Sequence, residues 1–156
     1  GFATTILLIV MFIGGCGGST TCGIKVFRLQ VLASTAKVQI SRLLRPHAVV
    51  LAYYNKRPVS VEVMDSVMGF FYLFILGFVL IAIMLGMAGL DFVTALSGAA
   101  TSISNVGPGL GEVIGADGNF STLPDSAKWI MSFAMLLGRL EIFTVLVMLN
   151  PAFWQR

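Results

Sequence analysis

The residues best suited to bind a ligand lie at 101–111 and read Thr-Ser-Ile-Ser-Asn-Val-Gly-Pro-Gly-Leu-Gly, after an uncharged apolar stretch. Irregular backbone of this kind cannot face lipid, because its N–H and C=O groups would have no hydrogen-bond partner there. It is tolerated at membrane depth where it lines a cavity or a water-filled path. Its carbonyl oxygens can then replace the water shell of a cation. This segment therefore predicts cation coordination by backbone carbonyls.

The helix predicted before this loop, over residues 91–104, supports that chemistry. Asp91 is a plausible N-cap, and the negative end of the helix dipole would point toward a bound cation. The alternative is an extracellular turn, because Gly-Pro-Gly is common in turns. Small residues in the helix favour the pore interpretation, since they allow close packing against neighbouring helices. The predicted filter residues are Ser104, Asn105, Val106, Gly107 and Pro108.

A second irregular element lies at residues 14–23, which include five glycines. Glycine at this density does not hold a regular helix well. We expect the segment to interrupt a pore-lining helix and to act as a gate, and a glycine-rich helix crossing is the alternative. The predicted gating residues of the loop are Gly14, Gly15, Cys16, Gly17, Gly18, Ser19, Thr20 and Thr21.

Arg139 and Glu141 lie in the middle of the last predicted span. An ionisable group at that depth is costly unless it faces a wet cavity or a partner. Residues two positions apart point to different faces of a helix, so the two do not simply neutralise each other. We predict a gating role for Arg139, and a structural ion pair with other residues is the alternative.

Composition and charge indicate a membrane protein with a defined orientation. The chain is 57% hydrophobic and 11% charged, whereas a soluble domain carries roughly a quarter charged residues. Residues 66–90 include no charge, and about 20 apolar residues suffice to span a bilayer. Residues 25–57 contain seven basic and no acidic side chains, and residues 91–125 contain four acidic and no basic ones. The positive-inside rule therefore predicts that residues 25–60 are cytoplasmic.

The predicted fold is an all-α membrane protein built from pore-loop repeats, each a helix, a re-entrant pore helix, a filter loop and a second helix. The first full span is Val61–Met87, and the last helix begins at Pro124-Asp125 and runs to about Leu149. The helix between them is too short to cross, so it must dip into the membrane and return. Helices are also predicted over 6–13 and 24–45, on either side of the glycine-rich break, and a loop over 46–58.

Three motifs together resemble the membrane subunit of Trk-type potassium uptake systems (TrkH), in the Trk/Ktr/HKT superfamily. They are Gly-Gly-Cys-Gly-Gly-Ser-Thr from Gly14, Asn-Val-Gly-Pro-Gly-Leu-Gly from Asn105, and Gly-Arg-Leu-Glu-Ile-Phe-Thr from Gly138. The resemblance covers nearly the whole chain. It implies four pore-loop repeats around one potassium pathway, a homodimer, and a cytoplasmic nucleotide-binding regulatory subunit of the TrkA type. It also implies a bacterial inner-membrane location and K⁺ as the transported ion, with no bound cofactor.

By this likeness, residues 1–60 correspond to the second half of repeat three and residues 61–156 to a complete repeat four. Gly107 matches the filter glycine of repeat four, with K⁺ expected at the carbonyls of Asn105, Val106 and Gly107, and Gly1 matches that of repeat three. Residues 14–23 match the gating loop, and Arg139 matches the arginine beside it. Family members carry an extra polar stretch where Thr5 here runs directly into Ile6. Either the chain joins across missing residues there or the match of Gly1 is wrong.

Three functions compete: a potassium-conducting pore-loop pathway, a secondary carrier with its site between discontinuous helices, and a non-transporting membrane assembly subunit. A short helix that re-enters from one side favours the pore. No nucleophile–base pair or metal-ligand cluster is visible, so we expect no enzyme. Expected partners are the other pore repeats and lipid, without nucleic acid. Cys16 and Cys22 are interpreted as small buried filler, with a disulfide as the alternative, and the chain as the C-terminal part of a longer protein.

Overall fold

The structure, a computed structural model, describes residues 2–15, 22–45, 52–55, 57–115 and 117–140. Most of these residues are helical, and the helical fold class predicted from the sequence is confirmed. In chain order the elements are α1 (Phe2–Phe12), α2 (Val26–Leu44), β1 (Tyr53–Tyr54), β2 (Arg57–Pro58), α3 (Val61–Met87), α4 (Phe92–Ser104), a 3₁₀ turn (Phe120–Thr122) and α5 (Asp125–Arg139).

Helix α3 has the predicted bounds and, among the described helices, is the one long and apolar enough to cross a membrane. The helix ends at Met87, and Gly89, two residues later, has a φ of +92°. The N–H of Gly89 donates to the carbonyl of Gly86 (3.1 Å), and the N–H of Leu90 donates to that of Leu85 (3.4 Å). This pair of bonds is the Schellman motif, in which glycine takes the left-handed position because it has no Cβ to clash.

Helix α4 follows after a connection of a few residues, so it packs antiparallel beside α3. Asp91 caps it as predicted, because its Oδ2 accepts a hydrogen bond from the N–H of Thr94 (3.3 Å). Nearly every residue of α4 from Thr94 to its end is buried, among α1, α3 and α5. Small side chains allow this, since alanine, glycine and serine let three neighbouring helices approach closely. Helix α4 is therefore the centre of the fold.

The hydrophobic core surrounds α4 and includes residues from every described helix. The C-terminal part of α2 does not contribute to it. Its aromatic part comes from α3, and its small residues come from α4 and α5. The buried members of the main cluster are Ile24, Phe70, Phe74, Ile81, Leu85, Ala95, Ala99, Ile103, Ile114, Leu123, Ala127, Met131 and Ala134.

Two predicted boundaries were wrong. The region predicted as a loop over 46–58 contains the hairpin β1–β2, in which Tyr53 pairs with Pro58; Asn55 adopts the left-handed conformation (φ 46°) that its turn requires. Helix α1 begins at Phe2 rather than Ile6, because no glycine or proline separates the two. Gly1, residues 16–21, Glu141 and the predicted continuation of α5 to Leu149 lie outside the described residues.

Candidate functional site

The predicted filter loop begins with a left-handed residue at the end of α4. Asn105 has φ 52° and ψ 44°. Its N–H donates to the carbonyl of Ser102 (3.3 Å), and the N–H of Val106 donates to that of Thr101 (3.1 Å). This is a second Schellman motif, with asparagine in the place that glycine takes in α3. The side-chain amide of Asn105 also donates to the carbonyl of Met135 in α5 (3.0 Å), so the turn is tied to two helices.

From Asn105 the chain turns back and runs along α4 toward the N-terminal end of that helix. The N–H of Gly107 donates to the hydroxyl of Thr101 (3.0 Å). One turn up the helix, the hydroxyl of Ser97 accepts from the N–H of Leu110 (3.1 Å) and donates to its carbonyl (3.2 Å). Thr101 and Ser97 lie on one face of α4, four residues apart. Two hydroxyls therefore hold the returning loop against the helix.

Glycine is required at two points of this loop for different reasons. Gly107 has a φ of +115°, which side-chain-bearing residues rarely adopt, although a Cβ there would meet nothing within 4 Å. Glycine is therefore favoured at position 107 because of its backbone conformation. A Cβ on Gly109 would instead overlap the Ile114 side chain and lie 3.2 Å from its carbonyl oxygen. The N–H of Gly109 donates to that same carbonyl (2.7 Å). The loop therefore needs an unusual backbone at Gly107 and close packing at Gly109.

The two stems of the glycine-rich segment are joined by backbone hydrogen bonds. The N–H of Ile24 donates to the carbonyl of Phe12 (2.9 Å), and the N–H of Gly14 donates to that of Ile24 (2.9 Å), which makes a parallel bridge between Ile13 and Ile24. A Cβ on Gly14 would lie 2.5 Å from the carbonyl oxygen of Cys22. The described ends of the predicted gating loop are therefore in direct contact, and the helical pattern is interrupted there as predicted.

A cavity of about 800 Å³ brings the two irregular segments together. Its wall includes both stems of the glycine-rich segment, the end of α4, the returning loop and Arg139. The lining residues are Leu7, Val10, Met11, Ile13, Gly14, Gly15, Cys22, Ser104, Asn105, Val106, Pro108, Gly109, Leu110, Gly111, Gly115 and Arg139. Cys22 is a free thiol. Val106 and Pro108, the two neighbours of Gly107 in the chain, line this wall, whereas Gly107 is not among the lining residues.

The lining residues with polar side chains are Cys22, Ser104, Asn105 and Arg139. Across the described part of the chain, no cluster of His, Cys, Asp and Glu side chains could hold a metal ion. The buried hydroxyl oxygen of Ser104 has no hydrogen-bond partner among the described residues. A buried hydroxyl without a partner is costly. Ser104 also lines the cavity, but its hydroxyl oxygen is buried among the described residues.

Arg139 reaches the cavity because α5 approaches the end of α4 very closely. A Cβ on the preceding residue, Gly138, would overlap the carbonyl oxygen of Ile103 and lie 2.9 Å from the side-chain nitrogen of Asn105. Arg139 itself is exposed in this chain, and no hydrogen bond or ion pair to its guanidinium is formed by the residues that the structure describes. Gly138 therefore brings a positive charge beside the loop.

At the other end of α4, the Asp91 carboxyl has a pKa below its ordinary value. The main cause is a hydrogen bond from the Thr94 side chain, followed by one from the Thr94 N–H. Both favour the ionised form. The carboxylate is thus kept charged where it also complements the positive end of the α4 dipole.

Comparison with known proteins identifies the family to which the chain belongs. The family model described as TrkH, cation transport protein, matches residues 2–156. The chain belongs to the TrkH family. As a TrkH-family chain it is part of an integral membrane protein.

Individual TrkH-family relatives align over nearly all of the chain. It is 49% identical to the Trk system potassium uptake protein TrkI of Halomonas elongata, over 93% of this chain and 30% of that protein. It is 38% identical to the Trk system potassium uptake protein TrkH of Escherichia coli, over 99% of this chain and 31% of that protein. The crystal structure of the potassium transporter TrkH from Vibrio parahaemolyticus matches with a TM-score of 0.88 and 41% identity, over 98% of this chain and 32% of that one.

The chain thus spans about a third of the length of these TrkH-family relatives. Their names are those of transport proteins rather than enzymes, in agreement with the function class expected from the sequence. The structure brings together most of the predicted filter residues, the described stems of the predicted gating loop, and Arg139. It also shows structural roles that the sequence did not predict for Ser97, Thr101 and Gly138. The hydroxyls could have been found from their four-residue spacing on the predicted pore helix, and Gly138 from its place beside Arg139.

Proposed function

We propose that this chain forms part of the potassium-conducting pathway of a Trk-type uptake system in the bacterial inner membrane. In this proposal residues 1–60 belong to the third pore-loop repeat, residues 61–156 form the fourth, and other repeats of a longer chain complete the pathway. The observation that carries the proposal is the cavity shared by the loop after α4, the stems of the glycine-rich segment and Arg139. Potassium as the transported ion is supported by the names of the relatives.

In the proposed filter, the carbonyls of Asn105, Val106 and Gly107 coordinate K⁺. Two features support this assignment. The segment follows the C-terminal end of a buried helix, whose partial negative charge favours a cation. Its backbone is also held by side-chain hydroxyls and an asparagine amide, so little reorganisation is needed when an ion enters. The match of Gly1 to the filter of repeat three remains part of the proposal.

In the proposed gate, the loop of residues 14–23 and Arg139 together obstruct the pathway below the filter. A guanidinium about 6 Å from a passing K⁺, at an effective dielectric constant of about 20, raises the energy of the ion by about 3 kcal/mol. That corresponds to roughly a hundredfold reduction in rate. Movement of the loop would lower this barrier by letting the arginine withdraw or letting water in.

The test is potassium uptake by the full-length transporter reconstituted in liposomes. Arg139→Ala should raise basal flux, by up to about a hundredfold, whereas Arg139→Lys keeps the charge and should keep most of the barrier. Shortening the loop should also raise flux, and the combined change should be less than additive because both remove one barrier. Unchanged flux in Arg139→Ala, or simple additivity, would make Arg139 a structural residue. Uptake driven only by an imposed proton or sodium gradient would favour the secondary carrier.

The proposal extends to a homodimer and to a TrkA-like nucleotide-binding subunit on the cytoplasmic side. Basic residues in 25–60 without a single acidic one support a docking role for this segment, although the same charges would also set the topology. Lys37 is exposed on α2, so Lys37→Glu should weaken binding of the regulatory subunit, with Gln39→Ala as the matched control. If both variants bind the regulatory subunit with equal affinity, the basic residues set the topology and do not contribute to docking.

A further inference from the structure

Aromatic rings attach the entry stem of the glycine-rich segment to α3. Phe12 is the last residue of α1 and immediately precedes the backbone bridge that joins the stems. Its ring meets that of Phe74 edge-on (centroids 6.0 Å apart, 79° between planes) and that of Phe78 likewise (5.1 Å, 90°). Edge-to-face pairs at these distances are favourable because the positive edge of one ring meets the negative face of the other.

The exit stem is attached to the same helix by a cation. Arg28 lies in the first turn of α2, and its guanidinium carbon is 3.8 Å from the centroid of the Phe70 ring. Phe70 in turn packs on Phe74, with centroids 5.7 Å apart, and both are almost fully buried. A guanidinium this close to a ring face makes a cation–π contact.

Phe70, Phe74 and Phe78 are spaced four residues apart, so they form one stripe along α3. One end of the stripe holds Arg28, and the other end holds Phe12. Both stems, already joined to each other by the bridge between Ile13 and Ile24, are thus fastened to a single membrane-spanning helix. Both described ends of the segment are therefore attached to α3, one through Phe12 and the other through Arg28.

We propose that this aromatic anchor, made of Phe12, Arg28, Phe70, Phe74 and Phe78, positions the glycine-rich loop and thereby sets how readily the path opens. The five are positioning residues, which act through the loop and need not touch the ion. The gating part of this proposal rests on the proposed function of the loop. The anchoring part stands on the contacts alone, so the two can be tested separately.

Cys22 provides a local reporter, because it lies on the exit stem and on the cavity wall. In the full-length transporter with every other cysteine replaced, the rate at which a charged methanethiosulfonate reagent modifies Cys22 measures access to the stem. Arg28→Met removes the cation but keeps an apolar stem, and Phe70→Leu removes the ring but keeps an apolar core residue. Each should raise the modification rate roughly fivefold, the weight of one cation–π contact at a partly exposed site.

The modification rate of the double variant Arg28→Met/Phe70→Leu should be close to that of either single variant, because both substitutions break the same contact. Tyr72→Leu is the matched control, because Tyr72 lies on the exposed face of α3 and its loss should change nothing. Arg28→Lys is a further variant that retains the positive charge. Its rate of Cys22 modification should therefore lie between those of the wild type and Arg28→Met. Elution of each variant as a single species on size-exclusion chromatography confirms folding.

Basal K⁺ flux in the same variants separates the two parts. A rise in both modification rate and flux supports the anchor and its effect on gating. A rise in modification alone upholds the anchor and overturns the loop as the gate. Modification rates equal to that of Tyr72→Leu, or an additive double variant, overturn the anchor itself.

Discussion

The close approach of α5 to the end of α4 predicts that Gly138 tolerates no side chain. A methyl group there would overlap the carbonyl oxygen of Ile103 and lie 2.9 Å from the amide nitrogen of Asn105. Gly138→Ala must therefore push α5 away from the end of α4. Because Asn105 is bonded to Met135 of α5, the displacement also pulls on the first residue of the proposed filter.

Three contributions set the size of the effect. Overpacking of this kind costs about 1–3 kcal/mol, and loss of the hydrogen bond between Asn105 and Met135 adds about 1 kcal/mol. The usual gain in helix propensity from glycine to alanine offsets about 1 kcal/mol of that. We expect a net destabilisation of about 1–3 kcal/mol, together with weaker discrimination of K⁺ from Na⁺.

Gly86→Ala is the matched control, because Gly86 lies in α3 and a Cβ there would meet nothing within 4 Å. Thermal unfolding is followed by size-exclusion chromatography, and uptake of K⁺ and Na⁺ is measured in liposomes. In both assays the stability and selectivity of this control should equal or exceed those of the wild type. Asn105→Ala combined with Gly138→Ala should restore little stability, since the carbonyl of Ile103 still blocks the methyl group. If Gly138→Ala behaved like Gly86→Ala in both assays, the close approach of α5 to α4 would be refuted.

The other predictions concern the filter, the topology and the capping of α4. Gly107→Ser should reduce K⁺ selectivity or flux, because serine is strained at a φ of +115°; unchanged K⁺ affinity and Na⁺ discrimination in uptake assays would contradict the filter assignment. A cysteine replacing Gln39, which is exposed on α2, should react with impermeant reagents only from the cytoplasmic side, and labelling from outside would reverse the topology. The lowered pKa of Asp91 predicts that the wild type is more stable than Asp91→Asn at pH values above the ordinary carboxyl pKa of about 3.9. This advantage should be lost as the pH falls through the lowered pKa, and a pH-independent difference in thermal unfolding would argue against it.

The sequence predicted the helices that have clear local signals at both ends. Helix α3 is bounded by Pro58 and Gly89, and α4 by Asp91 and Asn105, so both were located correctly. Helix α1 was placed too short because the interpretation relied on apolar character, whereas backbone continuity through Thr4 and Thr5 decides where it starts. The hairpin near Tyr53 was missed because two-residue strands leave almost no alternation to detect.

For the candidate site, residue types revealed which segments are irregular but not how they meet. Glycine and proline content located both loops, since such residues break regular structure wherever they occur. The cavity between them is lined by residues as far apart in sequence as Gly14 and Asn105, and it depends on long-range contacts such as the hydrogen bond from Asn105 to Met135. Such contacts are set by helix packing, and no local pattern in the chain encodes them.

The two hydroxyls on α4 fix the spacing of the loop beside the helix. Ser97 and Thr101 are separated by about 6 Å along the helix axis, whereas the three steps from Gly107 to Leu110 would cover roughly 10 Å if fully extended. The loop must therefore be shorter than an extended chain, and its backbone bends at Gly107 and Leu110. The vertical interval between its carbonyls then depends on the pitch of α4. One residue inserted between Ser97 and Thr101 would rotate one hydroxyl by about 100° away from the loop and would disrupt that spacing with the loop sequence unchanged.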